Sequence, residues 1–463
     1  MREPIEEGAR GDMSAVRAGL IEPVAEAPSA GAVKLGGFLV TPARLRVWGM
    51  KSALALLDQG LFSGAGFAVN LLLARWMAPE LYGAFAVAFA GFLFVSGFHN
   101  VLLLEPLTVL GPSQYADRLP EYFRAQIIVH LVLVGPLSAV TLLASLVIWQ
   151  IAPGSPLTGA VLGVGLALPF LLLLWLIRRM YYVMQRPAVA VAGSGLNLLF
   201  VVVGLATLRH FGRLGAFSAF LLMACGGVLA CCLLLWRLGL LRPKPAAEPK
   251  IPWRRALLGN WNYGRWLVGS TVLSSVWSQA QMFLTAALLG LGAAGILRAM
   301  QIPSLVMTQV VAAGGLLVLP SFSYDFGKGS LRQLRHKAML TSVALGTAGV
   351  CFAGLLVFFS GPTERLLFGG KYANYAWVMP ILALIPAAMG VLTGYSMAMR
   401  ASHKPRFDLL ASAITVPVGL VSAFFFMRWW GLAGAAASMA FGFVAYAISI
   451  CGIYYFPSAI GQK

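Results

Sequence analysis

Residues 71–86 read LLLARWMAPELYGAFA: one apolar run ends, a short turn follows, and Gly83 opens the next apolar run. A run of about 20 apolar residues is long enough to span a bilayer. The same alternation continues on both sides of this stretch, and it predicts twelve membrane-spanning helices, each placed to within about three residues. The predicted spans are 52–73, 83–104, 126–149, 157–177, 188–208, 214–236, 266–289, 295–319, 338–359, 376–399, 408–427 and 431–455.

The composition agrees with an all-α integral membrane protein. Hydrophobic residues make up 59% of the 463 residues and charged residues 11%, whereas a soluble globular chain has about 25% charged residues. The five cysteines fall inside predicted spans without the spacing of a disulfide framework or a zinc site. They are Cys225, Cys231, Cys232, Cys351 and Cys451.

Basic residues are abundant in every second gap between the spans, and this pattern predicts orientation because cytoplasmic flanks carry excess Lys and Arg. The rich gaps contain Arg44, Arg46, Lys51, Arg118, Arg124, Arg178, Arg179, Arg186, Arg237, Arg242, Lys244, Lys250, Arg254, Arg255, Arg265, Lys328, Arg332, Arg335, Lys337, Arg400, Lys404 and Arg406. The poor gaps contain Arg75, Arg209, Arg213, Arg365, Lys371 and Arg428. We therefore expect a multi-pass protein of the bacterial cytoplasmic (inner) membrane with both termini in the cytoplasm. The net charge of +19 predicts contact with anionic lipid headgroups and not with nucleic acid.

The chain is organised as two related halves. We expect a disordered cytoplasmic tail at 1–43, a six-helix bundle at 44–241, a basic linker at 242–260, a second six-helix bundle at 261–456 and a short tail at 457–463. Residues 71–86 align with FLTAALLGLGAAGILR (283–298), so that Gly83 matches Gly295. Two halves with an even number of spans form a parallel repeat, which is a transporter architecture.

Polar residues inside the spans mark the places where chemistry is expected, because each is costly in hydrocarbon. One face of the first span carries Gln59, Ser63, Gly66 and Asn70, and Asp58 lies beside that face. One face of the seventh span carries Thr271, Ser274, Ser278, Gln281 and Thr285. These are equivalent helices of the two halves, so the stripes predict a wet cleft between the halves. The alternative is polar contact between packed helices.

Arg298 and His99 are the other in-span candidates. Arg298 continues through Gln301 and Thr308 along one face of the eighth span, and its planar fork suits a phosphate or pyrophosphate. The alternative is that Arg298 snorkels to the external interface. His99, followed by Glu105, is a candidate for proton coupling or for hydrogen-bonded packing.

The sequence contains no Ser/His/Asp set, no paired carboxylates, no metal-ligand spacing and no GxxxxGK[ST] loop. His130, His210, His336 and His403 are isolated in the sequence. We therefore expect no enzymatic activity, no metal and no cofactor, and transport driven by an ion gradient or by the gradient of the substrate.

The segment LLLARWMAPELYGAFAVAFAGFLF (71–94) resembles the start of Wzx-type polysaccharide flippases of the MOP (MATE-like) superfamily. Three further segments extend the resemblance over residues 45–456: SQAQMFLTAALLGLGAAGILRAMQIPS (278–304), LLFGGKYANYAWVMPILALIPA (366–387) and ASHKPRFDLLASA (401–413). The second of them is similar to the family's F-G-x-x-Y motif. Many relatives carry an acidic residue near position 281, where this chain has Gln281.

The resemblance implies a MATE-like fold of two pseudo-symmetric six-helix bundles around a central cavity. It also implies translocation of an isoprenoid-pyrophosphate-linked oligosaccharide, with a polysaccharide polymerase and co-polymerase as partners in exopolysaccharide, O-antigen or capsule assembly. The cavity candidates are Arg298, Asp58, Gln59, Ser63, Asn70, Thr271, Ser274, Ser278, Gln281 and Gln301, and the ion-coupling candidates are Asp58, His99 and Glu105.

Two alternatives remain open. An ion-coupled multidrug antiporter of the same superfamily needs a titratable carboxylate, for which Asp58 is the only good candidate deep in a span. A membrane-embedded polymerase, ligase or acyltransferase usually presents charged residues or a long loop on one face, whereas the external gaps here are short and nearly uncharged.

Overall fold

The computed structural model describes residues 33–35, 38–40, 42–239, 251–328, 330–402 and 406–455. Only the backbone is described at 33–35, 38–40 and 42–48 and at residues 266, 270, 274, 316, 320, 406 and 408. Most of the predicted tail 1–43, residues 242–250 of the predicted linker, the tail 457–463 and the side chain of Ser274 therefore lie outside the described part. The chain divides into two compact units, Met1–Leu56 and Leu57–Lys463.

The first unit contains two short antiparallel strands, β1 (Val33–Leu35) and β2 (Phe38–Val40), with Val33 opposite Val40. These six residues differ from the predicted disordered tail. Helix α1 then begins at Pro42, and proline is favoured at the first position of a helix.

Long helices make up the rest of the described chain. They are α1 (Pro42–Trp76), α2 (Pro79–His99), α3 (Glu105–Gln114), α4 (Leu119–Ile151), α5 (Pro156–Val183), α6 (Pro187–His210), α7 (Ala216–Leu238), α8 (Trp253–Leu289), α9 (Leu291–Gly327), α10 (Leu331–Phe368), α11 (Val378–Ala401) and α12 (Arg406–Tyr455). A π-helical turn, Asn100–Leu104, joins α2 to α3. Single 3-10 turns lie at Ala116–Arg118 and Ala373–Tyr375.

The twelve predicted spans are confirmed. Eleven helical stretches of the described chain are long and apolar enough to cross a membrane, and the last, Leu409–Tyr455, contains two spans. Gly431 interrupts it with φ 55° and ψ −128°. The rings of Phe426 and Phe441 lie 5.8 Å apart, although fifteen residues of straight helix would separate them by about 22 Å. The two arms of α12 therefore fold back on each other.

The second span continues beyond its predicted end at 104, because α2, the π turn and α3 form one stretch from Pro79 to Gln114. Pro106 lies two residues after the end of the π turn and cannot donate a hydrogen bond to the carbonyl four residues back, that of Leu102, which lies inside the turn where the helix widens. The Asn100 side chain donates to Glu105 Oε1 across the turn, at 3.1 Å.

The second half begins earlier than predicted. Helix α8 starts at Trp253, so the end of the predicted linker 242–260 is helical. Ile251 and Ala256 are buried in a cluster with Tyr122 of α4. The side chains of Asn260 and Gln126 exchange two amide hydrogen bonds of 2.9 and 3.0 Å. Because it is buried against α4, this helix begins before its apolar segment. The hydropathy pattern alone did not indicate that earlier start.

The two halves share one buried core at one end of the helices. This end, called the closed end below, is where α1 finishes at Trp76, where α2 and α9 begin, and where residues 368–372 lie. Its cluster includes Leu73 and Tyr82 of the first half with Leu297, Tyr372 and Met427 of the second. At the opposite end the described core is divided into clusters of the second half and of the first half with the start of α8.

Candidate functional site

A polar group lies between the halves beside the closed end, and Arg298 is its only charged member. Arg298, in the second turn of α9, donates from Nε to Asn70 Oδ1 of α1 at 3.4 Å and from an Nη to Gln301 Oε1 at 3.3 Å. Tyr82 of α2 donates to the same Asn70 oxygen at 3.3 Å. Residues predicted on separate helices, Asn70, Arg298 and Gln301, are thus brought together. Tyr82 was missed because a lone tyrosine near a span end has no distinguishing pattern.

The charge of Arg298 is not balanced by a carboxylate. Among the described residues, no Asp or Glu lies within ion-pairing distance of its guanidinium. Asn70 and Gln301 are buried and their other bonds are already made, since Asn70 Nδ2 donates to Gly66 O at 2.9 Å and Gln301 Nε2 contacts Met439 Sδ at 2.9 Å. Arg298 is half-buried, and a cation held partly away from water without a counter-charge is costly, so this position is typical of an anion site.

The α1 stripe does not face a single cleft between the halves, which corrects the prediction. Ser63 and Gly66 instead line a cavity of about 160 Å³ inside the first half, between α1, α2, α5, α6 and α7. Its other walls are mainly apolar and include the aromatic rings of Phe62, Phe89, Phe92 and Trp175. Gln59 is exposed and donates to Ser63 Oγ at 3.0 Å. Helical spacing predicted the shared face but not the neighbours that the face meets.

The α8 stripe also divides between different neighbours. Gln281 is buried, and its Oε1 accepts a hydrogen bond of 3.3 Å from Ser438 of α12. Thr285 donates to the backbone of Gln281 at 2.7 Å. Thr271 lies against Gly97 of α2, whereas Ser278 is exposed and donates to Ser275 O at 3.2 Å. The stripe therefore includes the helix contacts that were weighed as the alternative.

Asp58 is fully buried inside the first half, not in a cleft between the halves as predicted. It accepts hydrogen bonds of 2.5 Å from both Arg178 and Tyr182 and of 2.6 Å from Ser194. The Arg178 guanidinium lies 3.6 Å from the centre of the Phe62 ring. Arg178 was counted among the loop charges, but α5 continues past it to Val183, and the ion pair explains why a charge is tolerated there.

The remaining ion-coupling candidates also have protein partners. His99 Nε2 lies 3.0 Å from His130 Nδ1, and His130 Nε2 lies 3.1 Å from Pro169 O. Both rings are buried, so His130, isolated in the sequence, is one of a pair. Because the Pro169 carbonyl can only accept, the proton of a neutral His130 lies on Nε2, and its Nδ1 is an acceptor. His99 then donates to that Nδ1 from its own Nε2, which leaves the Nδ1 of a neutral His99 without a proton. Glu105 accepts from Asn100 at the π turn.

Three comparisons with known proteins bear on the fold. No protein-family model matches the chain, and no curated protein matches its sequence. Solved structures do match. An inward-facing multidrug resistance MATE family transporter of the MOP superfamily matches with a TM-score of 0.68 at 15% identity, and the match covers 85% of this chain and 96% of the transporter's chain.

Two further structures show the same architecture. The lipid II flippase MurJ in an inward closed conformation has a TM-score of 0.66 at 13% identity, covering 87% of each chain. The Vibrio cholerae MATE transporter VcmN in the bent form has a TM-score of 0.55 at 14% identity, covering 89% of this chain and 98% of that one. The predicted fold class is confirmed: the chain has the helical, twelve-helix fold of MATE transporters, and MurJ is similar to it in structure.

Proposed function

We propose that this protein is a flippase that moves an isoprenoid-pyrophosphate-linked oligosaccharide across the cytoplasmic membrane by alternating access, for exopolysaccharide, O-antigen or capsule biosynthesis. The observation that carries the proposal is Arg298, a cation between the halves without a carboxylate partner among the described residues. The fold is compatible with this cargo class, since MurJ, named as a lipid II flippase, has a similar structure.

Arg298 has the chemistry to hold a pyrophosphate. An arginine has five N–H donors in a fixed fork, and its described side-chain partners are the neutral groups of Asn70, Gln301 and Tyr82. Donors therefore remain for an anionic ligand, which would also neutralise the charge. Asn70 and Gln301 would then hold the guanidinium in position, while the isoprenoid chain stays in the bilayer.

The arrangement of the halves supports a transport cycle. The halves share a core at the closed end. At the opposite end the start of α8 packs in a cluster of the first half, while the remaining described core of the second half is separate. If the charge pattern orients the chain as predicted, with the closed end external, the cargo would approach Arg298 from the cytoplasmic side. That is the side on which a lipid-linked oligosaccharide is loaded. A polymerase and a co-polymerase would receive the product on the other side.

The test is transport by purified protein in liposomes, with a fluorescent polyprenyl-pyrophosphate oligosaccharide as cargo. Arg298→Gln keeps a polar side chain of moderate length but removes the charge. We expect it to slow flipping by about tenfold to a hundredfold, the range for losing a hydrogen bond to a charged group. Arg365→Gln is the matched control, because it removes an exposed cation at the same end. Equal rates in Arg298→Gln and wild type would remove Arg298 from the mechanism.

A multidrug antiporter is the second candidate, and the cavity inside the first half favours it. The aromatic walls suit a flat organic cation, and Asn197, which lines the cavity, has a buried Oδ1 without a partner among the described residues. Against it, every described bond of Asp58 is to the protein. A drug-tolerance assay of Asp58→Asn separates the candidates, since a lipid-linked oligosaccharide flippase predicts no change in tolerance.

A further inference from the structure

The segment at the end of α10, Phe368-Gly-Gly-Lys-Tyr372, contains two backbone positions that favour glycine. Gly369 and Gly370 have φ angles of 72° and 86°, a left-handed conformation that side chains disfavour. The two glycines end α10 and turn the chain, and Lys371 and Tyr372 come directly after this turn. Phe368 and Tyr372 are buried, with ring centres 5.4 Å apart. The sequence pattern thus codes for a rigid corner.

This corner holds the end of α1 across the boundary between the halves. The Lys371 ammonium donates to Ala74 O at 3.0 Å, to Arg75 O at 3.2 Å and to Met77 O. The last carbonyls of a helix have no partner within the helix and carry its negative end. Burial, and then the charge of Arg209, lowers the pKa of Lys371, so these carbonyl bonds offset a cost of desolvation.

Tyr372 and Arg75 complete the contact. The Tyr372 hydroxyl donates to Ala74 O at 3.1 Å, and Arg75 donates from the first half to Leu366 O at 3.3 Å. Glu364, which is fully buried in α10, accepts the backbone N–H of Tyr372 at 2.7 Å. Its Oε2 has no partner among the described residues. Glu364 therefore anchors the corner in the second half while Lys371 and Tyr372 bind the first.

We propose that residues 368–372 are the latch of the closed end, the contact that must break before the halves separate there. The latch joins the halves through hydrogen bonds to the end of one helix, and water can replace these hydrogen bonds when the halves separate. The shared apolar core, in contrast, contains no small set of contacts whose loss would separate the halves. The proposal concerns opening of the closed end alone and is independent of the cargo, so it stands or falls separately from the flippase function.

Hydrogen exchange of the purified full-length protein tests the latch. Tyr372→Phe removes only the cross-half hydroxyl, and Lys371→Met removes the ammonium but keeps an unbranched stem. We expect exchange of residues 72–82 and 366–377 to become about tenfold faster in each, the ratio that corresponds to about 1.4 kcal/mol. Residues 395–402, at the opposite end of α11, should exchange as in wild type.

The controls are Tyr375→Phe and Arg365→Met, which make the same chemical changes at exposed positions of the same end. Wild-type exchange at 72–82 in both latch variants would overturn the proposal. So would an acceleration of the same size in the controls, or one that extends equally to residues 395–402. If Lys371→Met does not fold, Tyr372→Phe, which loses a single oxygen atom, still decides between these outcomes.

Discussion

At the scale of single residues, Asp58 and Arg298 show how little a charge within a span says about its role. Both stand out in the sequence for the same reason, since orientation of the helices does not require them. Asp58 is enclosed by three donors of the first half, whereas Arg298 lies between the halves among neutral groups. The three partners of Asp58 and the Asn70 partner of Arg298 lie more than 100 positions away in the sequence, which no local pattern reveals.

The Asp58–Arg178 pair is predicted to be structural. Because both side chains are buried, Asp58→Asn leaves an unbalanced guanidinium, and we expect the free energy of unfolding to fall by about 3–5 kcal/mol. Thermal unfolding of the purified protein in detergent measures this. Asp58→Asn combined with Arg178→Met removes both charges and should recover part of the loss.

The control is Glu121→Gln, which also removes a carboxylate bound to an arginine, but that arginine, Arg118, is 45% exposed. Little change is expected there, because exposed pairs contribute about 0–1 kcal/mol. If Asp58→Asn unfolds at the wild-type temperature but loses transport, Asp58 has a part in ion coupling and not in structure.

At the scale of elements, equivalent glycines of the repeat make the central contact between the halves. A side chain at Gly83 of α2 would collide with the carbonyl oxygen of Leu291, and one at Gly295 of α9 with that of Pro79. The repeat in the sequence aligned these two residues, and the structure places them against each other. Small residues are the usual means by which membrane helices approach closely.

Gly83→Ala is therefore expected to weaken the closed end. An overpacked contact typically costs about 1–3 kcal/mol, so the variant should unfold at a lower temperature and exchange faster at residues 72–82. Gly91→Ala is the matched control on the same helix, because a Cβ there meets nothing within 4 Å. It should be neutral or slightly stabilising, since alanine favours a helix over glycine. Equal unfolding temperatures for the two variants would contradict the importance of this contact.

At the scale of the whole molecule, the charge pattern predicts which way the closed end faces. With the five native cysteines replaced, single cysteines at Asn374 and Arg332, both exposed, report on opposite ends of the second half. A membrane-impermeant maleimide should label position 374 in intact cells and position 332 only after permeabilisation. The reverse result would place the closed end in the cytoplasm and invert the proposed direction of loading.

The class of protein, the number of spans and the relation between the halves follow from the amino-acid sequence alone. These depend on the lengths of apolar runs and on the spacing of charges and glycines along one chain, which hydrocarbon thickness and helix geometry convert directly into structure. For the same reason the sequence indicated that Asn70, Arg298 and Gln301 lie inside spans, although not that they meet.

The neighbour that each polar face meets depends on how the helices pack in three dimensions. This packing paired Asp58 with Arg178 and His99 with His130, turned the α1 stripe into the first half, and placed Lys371 on the end of α1. Helical periodicity specifies a direction around one axis, whereas contact depends on how several axes are arranged. That arrangement is set by the packing of whole helices, through close approaches such as Gly83 on Leu291.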